Sequence, residues 1–515
     1  MTSSSLSRPS SDYRPDPGRW RILVILLTTI FMSLIGVSIV NVALPSIHTA
    51  LQASQADMQW VLSGYALTFG VVLVAAGRAG DLMGRGGLFL IGVALFTLSS
   101  IAAGLAPDAT WLNGARFVQG VGSGLLNPQG LGMIQHYFRG AERGRAFGYL
   151  GTVVGFSVAI GPVLGGLLIE IGGLELGWRL TFLVNVPIGL VVIFLGFKWF
   201  PRPLIQLPRQ RPAPARIQAI ENNQATDMAG APDSQAAARL GWRSLDPIGS
   251  LLLGLAVLSV LYPFVESRSS PLTWLLLPLG LLLTLSWVRW ERHTANQGGS
   301  PMVNLQIFST ASFSNGVLIM ALYFLGMTSI WVLVALYVQE GLGMTALQSG
   351  MFGVPAALLS SWAANWAGRR VMTYGRKIVI GGLLLALIGL MLSILVIFLE
   401  AQGRISAWWL LLTLSFIGLA QGAVISPNQT LTLMDVPLDY AGSSGAIMQT
   451  GQRIGTSVGI AMITAAVFWS LNSASWPIAT MVGFGVIIAV VLVALLVAIQ
   501  DQRIRQCRIT GVIPD

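Results

Sequence analysis

Two arginines, Arg116 and Arg453, fall inside stretches that otherwise carry no charge and are long enough to cross a membrane as helices. An arginine well inside such a span costs roughly 2.5–3.5 kcal/mol on insertion scales, so it must face protein, a polar partner or a water-filled space. Both are therefore functional candidates, and helix packing satisfied by backbone carbonyls is the plainer reading. Arg116, Gln119, Ser123 and Asn127 are spaced by three, four and four residues, which sets them on one stripe of a helix. Gln449, Gln452, Arg453 and Thr456 make a similar stripe late in the chain, and Gln421, Asn428 and Gln429 lie on the span before it. Such a constellation suits a polar cavity between two helical halves. Taken singly, each Gln or Asn equally suits an interhelical hydrogen bond of about 0.6 kcal/mol. Met320, Tyr323, Phe324, Met327 and Trp331 also recur at helical spacing; soft and aromatic side chains adapt to varied apolar ligands, and they also pack or meet lipid. Trp60 and Tyr65 read in the same way, as aromatics near a membrane interface.

The elements that must carry these residues are long apolar runs. Of the 515 residues, 54% are hydrophobic and 10% charged, which is a polytopic helical membrane protein rather than a soluble one. Uncharged stretches over Ile22–Ala56, Met58–Gly77, Gly86–Pro107, Phe117–Phe138, Ala146–Ile169 and Leu180–Phe197 give six spans in the first 200 residues. The composition then turns rich in Pro, Gln, Ala and Arg over Pro201–Arg243, a hydrophilic linker. Eight more spans follow, at Pro247–Val265, Ser269–Val288, Ser312–Val338, Ala346–Ala367, Ile378–Leu399, Ile405–Ser426, Gly442–Phe468 and Trp476–Ile499. The expected organisation is an N-terminal tail (1–20), a six-helix bundle (21–200), the linker (201–245), an inserted helix pair (246–291), a second six-helix bundle (292–500) and a tail (501–515).

The formal net charge of +10 reports orientation rather than a nucleic-acid partner. Only Arg179, Arg268 and Arg404 fall in loops opposite the N-terminal side, while 25 of the 30 Lys and Arg share its side with both tails. Both termini are expected in the cytoplasm, and no cleavable signal peptide is indicated. One Cys and three scattered His leave no metal site and no disulfide framework. No G-x-x-x-x-G-K-[ST] loop is present, which disfavours ATP-driven work, and no face gathers the acids and His that a membrane-embedded enzyme would need. A sensor or scaffold would ask for a large soluble domain, and the longest hydrophilic segment is the linker.

Self-comparison finds a repeat. "GRAGDLMGR" (Gly77–Arg85) matches "GRRVMTYGR" (Gly368–Arg376) in its two Gly and final Arg, each copy following the second span of a six-span block. Met372 stands in the second copy where the first has Asp81. With "SIVNVALP" (Ser38–Pro45), "RFVQGVGSG" (Arg116–Gly124), "GPVLGG" (Gly161–Gly166) and "WRLTFLVNVPIG" (Trp178–Gly189), the motifs occur in order over nearly the whole chain. They resemble those of the major facilitator superfamily, in its 14-helix drug/proton antiporter branch. The resemblance implies an all-α fold of fourteen spans arranged as 6+2+6, working as a monomer in a bacterial plasma membrane and needing no cofactor beyond a proton as coupling ion. It implies export of drug-like amphipathic small molecules by alternating access. Gly77, Asp81, Gly84 and Arg85 would form a cytoplasmic latch, with Asp81 facing the helix start near Gly442–Ser444. Arg116, with Gln119, Asn127 and Arg453, would serve coupling and tune a nearby acid. Gly161, Pro162, Gly165 and Gly166 would form a hinge in helix 5, and Asn41, Tyr323, Met327, Trp331, Gln421, Gln449 and Gln452 would line the substrate cavity beside membrane lipid.

One departure matters for mechanism. The branch places an Asp two residues before the position of Ser38, and this chain has Gly36 there. Coupling then needs another acid, Asp57, Glu170 and Glu340 at the outer span ends being the nearest candidates if the span bounds shift by a turn, or the protein is a uniporter. Two interior Arg without an interior carboxylate favour anionic or zwitterionic cargo, an endogenous lipid or metabolite included, over lipophilic cations.

Overall fold

The computed structural model describes residues 16–205, 246–265, 271–297, 301–437 and 440–509. Most of the expected linker and tails lies outside these residues. The described chain is helical: α1 (Arg19–Leu51), α2 (Gln55–Met83), α3 (Arg85–Gly104), α4 (Ala109–Tyr137), α5 (Gly140–Leu183), α6 (Asn185–Trp199), α7 (Pro247–Val265), α8 (Leu276–Asn296), α9 (Ala311–Met327), α10 (Ser329–Leu336), α11 (Ala346–Met351), α12 (Val354–Tyr374), α13 (Arg376–Ala401), α14 (Leu410–Thr432), α15 (Ala441–Leu471) and α16 (Trp476–Ile509). Helix starts follow local chemistry. Ser54 and Asp57 close a capping box before α2, Asp108 accepts from Trp111 N–H at 2.8 Å to start α4, and Thr345 with Gln348 boxes α11.

Twelve of the described helical stretches are long and apolar enough to cross a membrane. Helices α4 and α12, 29 and 21 residues long, are outside that set by composition alone. They carry the interior polar residues and pack against protein on most sides, so lipid does not dictate their side chains. Helices α1 to α6 pack into one group and α9 to α16 into another, with α2 and α4 meeting α15 and with α5 meeting α12 and α14 between them. The pair α7–α8 packs on itself, and α7 touches both α2 and α15. Bonds between Arg19 and Glu142, Asp81 and Gly442, Arg143 and Leu433 O, and Asn315 and Asp501 lie at the start of α1, near the end of α16 and at the α2–α3, α4–α5 and α14–α15 connections, on one face, here called the latch face.

Element bounds depart from the expected ones in five places. The backbone of α5 breaks at Gly173 (φ 64°, ψ −165°), a region open to glycine alone, so the fifth and sixth spans meet there. The ninth span breaks into α9, α10 and a π-helical turn over Tyr337–Gly341, and the tenth into α11 and α12. Helix α8 runs to Asn296, beyond the expected end of the inserted pair at 291. Helix α16 runs to Ile509, so residues from Asp501 onward begin as helix rather than as a tail. The charged residues there need not seek water because Asp501 is fully buried against Arg376, at 2.6 Å, and Arg505, at 3.0 Å.

Candidate functional site

Helix α2 ends where Gly84 turns the chain at φ 102°, and Gly375 does the same at φ 55° before α13. The turn sets Arg85 beside Asp81, whose Oδ1 accepts from Arg85 Nη2 at 2.8 Å and Nε at 3.2 Å. From the other helical group, Gly442 N–H donates to Asp81 Oδ1 at 2.8 Å, while Ser443 N–H and Oγ–H donate to Oδ2 at 2.9 and 3.0 Å. Those amides belong to the first turn of α15, where backbone donors have no partner within the helix and a negative charge is favoured. The Asp81 side chain is 1% exposed. Gly77, one turn earlier, makes the approach possible: a Cβ there would lie 2.7 Å from Gly442 O and 2.9 Å from Ala446 Cβ.

The second motif copy meets the first group in the mirrored place. A Cβ on Gly368 would lie 2.5 Å from Gly144 O and 2.6 Å from Gly148 Cα, and Thr152 and Ser361 donate to each other's carbonyls, both at 3.0 Å. Arg376, the counterpart of Arg85, binds Asp501 and Asn428 within its own group.

Deeper in the span, Arg116 is 1% exposed. Its Nε donates to Val61 O at 2.8 Å, its Nη1 to Gln119 Oε1, and Gln119 Nε2 donates on to Ser100 Oγ at 2.7 Å. The guanidinium lies 4.4 Å from the centroid of Tyr65, whose hydroxyl meets Ser123 Oγ at 2.8 Å and Ser33 Oγ at 3.3 Å. Tyr65 stacks on Phe69, and Arg453 from the other group lies 4.3 Å from the Phe69 centroid. The result is a ladder of Arg116, Tyr65, Phe69 and Arg453 that crosses from one helical group to the other. Among the described residues neither arginine forms an ion pair with a carboxylate. The acid that Arg116 was expected to tune is therefore missing from its surroundings, and aromatic faces and carbonyls take its place. Tyr65, read from sequence as an interfacial aromatic, is buried at the centre of this arrangement.

The other expected residues divide. Gln449 Oε1 and Gln452 Nε2 are buried atoms without a hydrogen-bond partner on the helix that carries Arg453, and Gln421 is half-buried on α14. Tyr323 and Met327 sit in the apolar core of the second group, the Tyr323 hydroxyl unpartnered, while Trp331 is half-buried near Gly353. Asn127 bonds its own helix, to Ser123 O at 3.0 Å. Residues 161–166 are helical, and a non-helical backbone position in α5 lies at Gly173. Gly161 and Gly165 admit Ser38 and Ile39 of α1, and Gly166 faces open space. The side chains of Asn41 and Pro162 lie outside the described residues. Of the three substitute acids none is embedded: Asp57 is engaged in the Ser54 cap, and Glu170 and Glu340 are exposed.

The family model of the Major Facilitator Superfamily matches residues 26–460. The chain is 28% identical over 465 residues to the probable actinorhodin transporter of Streptomyces coelicolor, covering 89% of this chain and 74% of that one. It is 30% identical to a cephamycin export protein of Amycolatopsis lactamdurans (86% and 83% covered) and 25% identical to a riboflavin transporter of Clostridioides difficile (88% and 89%). A proton:xylose symporter of solved structure shares the fold, with TM-score 0.62 at 14% identity over 93% of this chain and 94% of that one.

Proposed function

The chain belongs to the major facilitator superfamily and is a transporter rather than an enzyme, and on that premise we propose that it exports amphipathic small molecules, drug-like compounds among them, across a bacterial plasma membrane. Transport is secondary and runs by alternating access, the two helical groups acting as bundles of six spans with α7–α8 inserted between them. Counting α4 and α12 with the twelve apolar stretches gives fourteen spans. The latch face is cytoplasmic, following the bias of Lys and Arg towards it. The observation that carries this reading is Asp81 binding the first amides of α15 across the two groups, with the Arg116 to Arg453 ladder lying beyond it. A pathway sealed on one face above a polar interior is what one half of an export cycle requires.

The driving ion in this reading is the proton, and the direct test is uptake of an ethidium-like cation into everted vesicles under an imposed pH gradient. Gradient-dependent uptake that is lost in Arg116→Ala and in a gradient-collapsed control supports coupled multidrug export. Uptake indifferent to the gradient removes the proton from the scheme.

A second reading of the cargo rests on the ladder itself. Two guanidinium groups without a carboxylate beside them attract anionic or zwitterionic molecules and repel cations, and metabolite transport is consistent with the likeness to the riboflavin transporter. Parallel uptake of an anionic and a cationic fluorophore separates the two, and uptake of the cation alone would discard this second reading.

A further inference from the structure

We infer that Asp246 and Glu291 form a proton-binding pair, one proton being shared between Glu291 Oε1 and Asp246 Oδ2, where the α7–α8 pair joins the latch. Asp246 precedes α7 and Glu291 lies near the end of α8; they are 4% and 1% exposed. One oxygen of each is satisfied. Asp246 Oδ1 accepts from Gly249 N–H at 3.0 Å and from Trp290 Nε1 at 2.8 Å, and Glu291 Oε2 accepts from Val303 N–H at 3.3 Å. The other oxygen of each, Asp246 Oδ2 and Glu291 Oε1, is buried without a hydrogen-bond partner. Both oxygens border the same point: a Cβ on Gly249 would clash with Asp246 Oδ2 and lie 3.0 Å from Glu291 Oε1. Trp287, 7% exposed, lies beside Glu291.

Two ionised carboxylates repel each other in such a space; the charge of Arg78 offsets part of this, and one proton removes the repulsion and gives both unpartnered oxygens a partner. A protonated carboxyl has one O–H donor, and the neighbouring carboxylate has the matching acceptor. We place the proton on Glu291, the more deeply buried carboxyl of the two. Release breaks the O–H bond of Glu291, passes the proton to water at the latch face and leaves two facing negative charges. The neighbouring group that feels this is Arg78 of α2; Arg289, Arg292 and His293 on α8 itself are exposed. Arg78 is 6% exposed, three residues before Asp81, and interacts electrostatically with Asp81, Tyr440, Glu291 and Asp246. The charge on the pair therefore competes with Asp81 for the field of Arg78, which lets pH bias the latch.

Proton binding here is independent of what is transported. Its use as the coupling proton rests on the export reading, so the test is spectroscopic. Infrared difference spectra of the protein in nanodiscs, titrated with acid and base, read the C=O stretch of protonated carboxyls. The wild type should show a band at neutral pH that disappears on alkalinisation and is lost in Glu291→Gln. In Asp246→Asn the band should also be lost at neutral pH, since the like charge is gone and the amide can donate to an ionised Glu291. Asn tolerates the left-handed backbone at this position (φ 46°) and retains an oxygen for Gly249 N–H, so this variant decides the matter should Glu291→Gln fail to fold. Spectra of either variant that titrate like the wild type overturn the assignment. So does a saturable change of the band on adding sodium at fixed pH, which would make the pair a metal-cation site. Loss of pH-dependent transport with an unchanged band would count against proton-coupled export and leave the proton site standing.

Discussion

Asp81→Asn is the perturbation that most directly separates a latch from an ordinary turn. Of the contacts to Asp81, those from Arg85 stay within the first helical group and hold no bundles together. Only the three from Gly442 and Ser443 cross between groups. An asparagine has the same shape and retains one acceptor oxygen, while its NH₂ would face a donor, so one or two charge-assisted bonds across the interface are lost and the attraction to the α15 dipole goes with them. Hydrogen bonds to a charged group contribute roughly 1.5–3 kcal/mol each, and the dipole about 0.3–1 kcal/mol. Water recovers part of this once the face opens, which leaves a shift of about 3 kcal/mol, or about a hundredfold in the closed-to-open ratio. Spin labels at Ala141 and Arg370, exposed positions on α5 and α12, read that ratio by pulsed electron resonance in a Cys507→Ser background. The expected result is a closed population in the wild type and a distinct longer-distance population in Asp81→Asn. Superimposable distance distributions would refute the reasoning, because the bonds at Asp81 would then contribute nothing to the equilibrium between states.

Gly77→Ala should shift the same distance distribution without touching any charge, since the added Cβ would lie 2.7 Å from Gly442 O; an unchanged distribution would mean that α15 gives way at no cost. Arg453→Ala removes a cation–π contact of about 0.5–2 kcal/mol and one of two interior charges, so KM for an anionic substrate should rise about tenfold while a neutral one is little affected. Equal effects on both would argue against charge recognition. Asp501→Asn leaves Arg376 buried beside Asn428 with its charge unmatched and should cost about 3–5 kcal/mol, seen as a lower Tm, with Asp501→Asn/Arg376→Met recovering much of the loss. Gly173→Ala should destabilise by about 1–3 kcal/mol through its backbone angles alone, measurable in the same melting experiment.

What could be read from sequence was set by local periodicity. Arg116, Gln119 and Ser123 fall on one helical stripe and are all buried together; that Asp81 faces the helix start at Gly442 and Ser443 is implied by the family resemblance, not by periodicity. Partners on other helices were not legible. Tyr65 comes fifty-one residues before Arg116, and nothing in its neighbourhood distinguishes a ring beneath a guanidinium from one at a lipid interface. Asp501 reads as the start of a tail because hydropathy falls there, and only the packing of α13 against α16 reveals the buried arginine that holds it. Glu291 and Asp246 are hidden for the same reason: acids at the ends of apolar runs look solvated until a neighbouring loop closes over them. The glycine pairs in α5 suit both a kink and tight packing against another helix, and Gly161 and Gly165 are where Ser38 and Ile39 of α1 come close.

The two motif copies show how one acid changes the role of a repeated element. Both place a glycine against a backbone of the opposite helical group, Gly77 on Gly442 and Gly368 on Gly144, so shape complementarity across the interface is symmetric. Charge is not. In the first copy Asp81 reaches across and binds amides that belong to the other group, contacts that any separation of the groups must break. In the second copy Met372 offers no such bond, and the arginine that ends the motif is neutralised from within its own group by Asp501. Separation of the groups leaves that pair intact. In the alternating-access cycle proposed above, the Arg376–Asp501 contact would stiffen the second bundle throughout, and the electrostatic work of opening would fall on Asp81. The same asymmetry places the protonatable pair on the side where it matters, next to Arg78 on the helix whose bonds must break and away from the copy whose bonds persist.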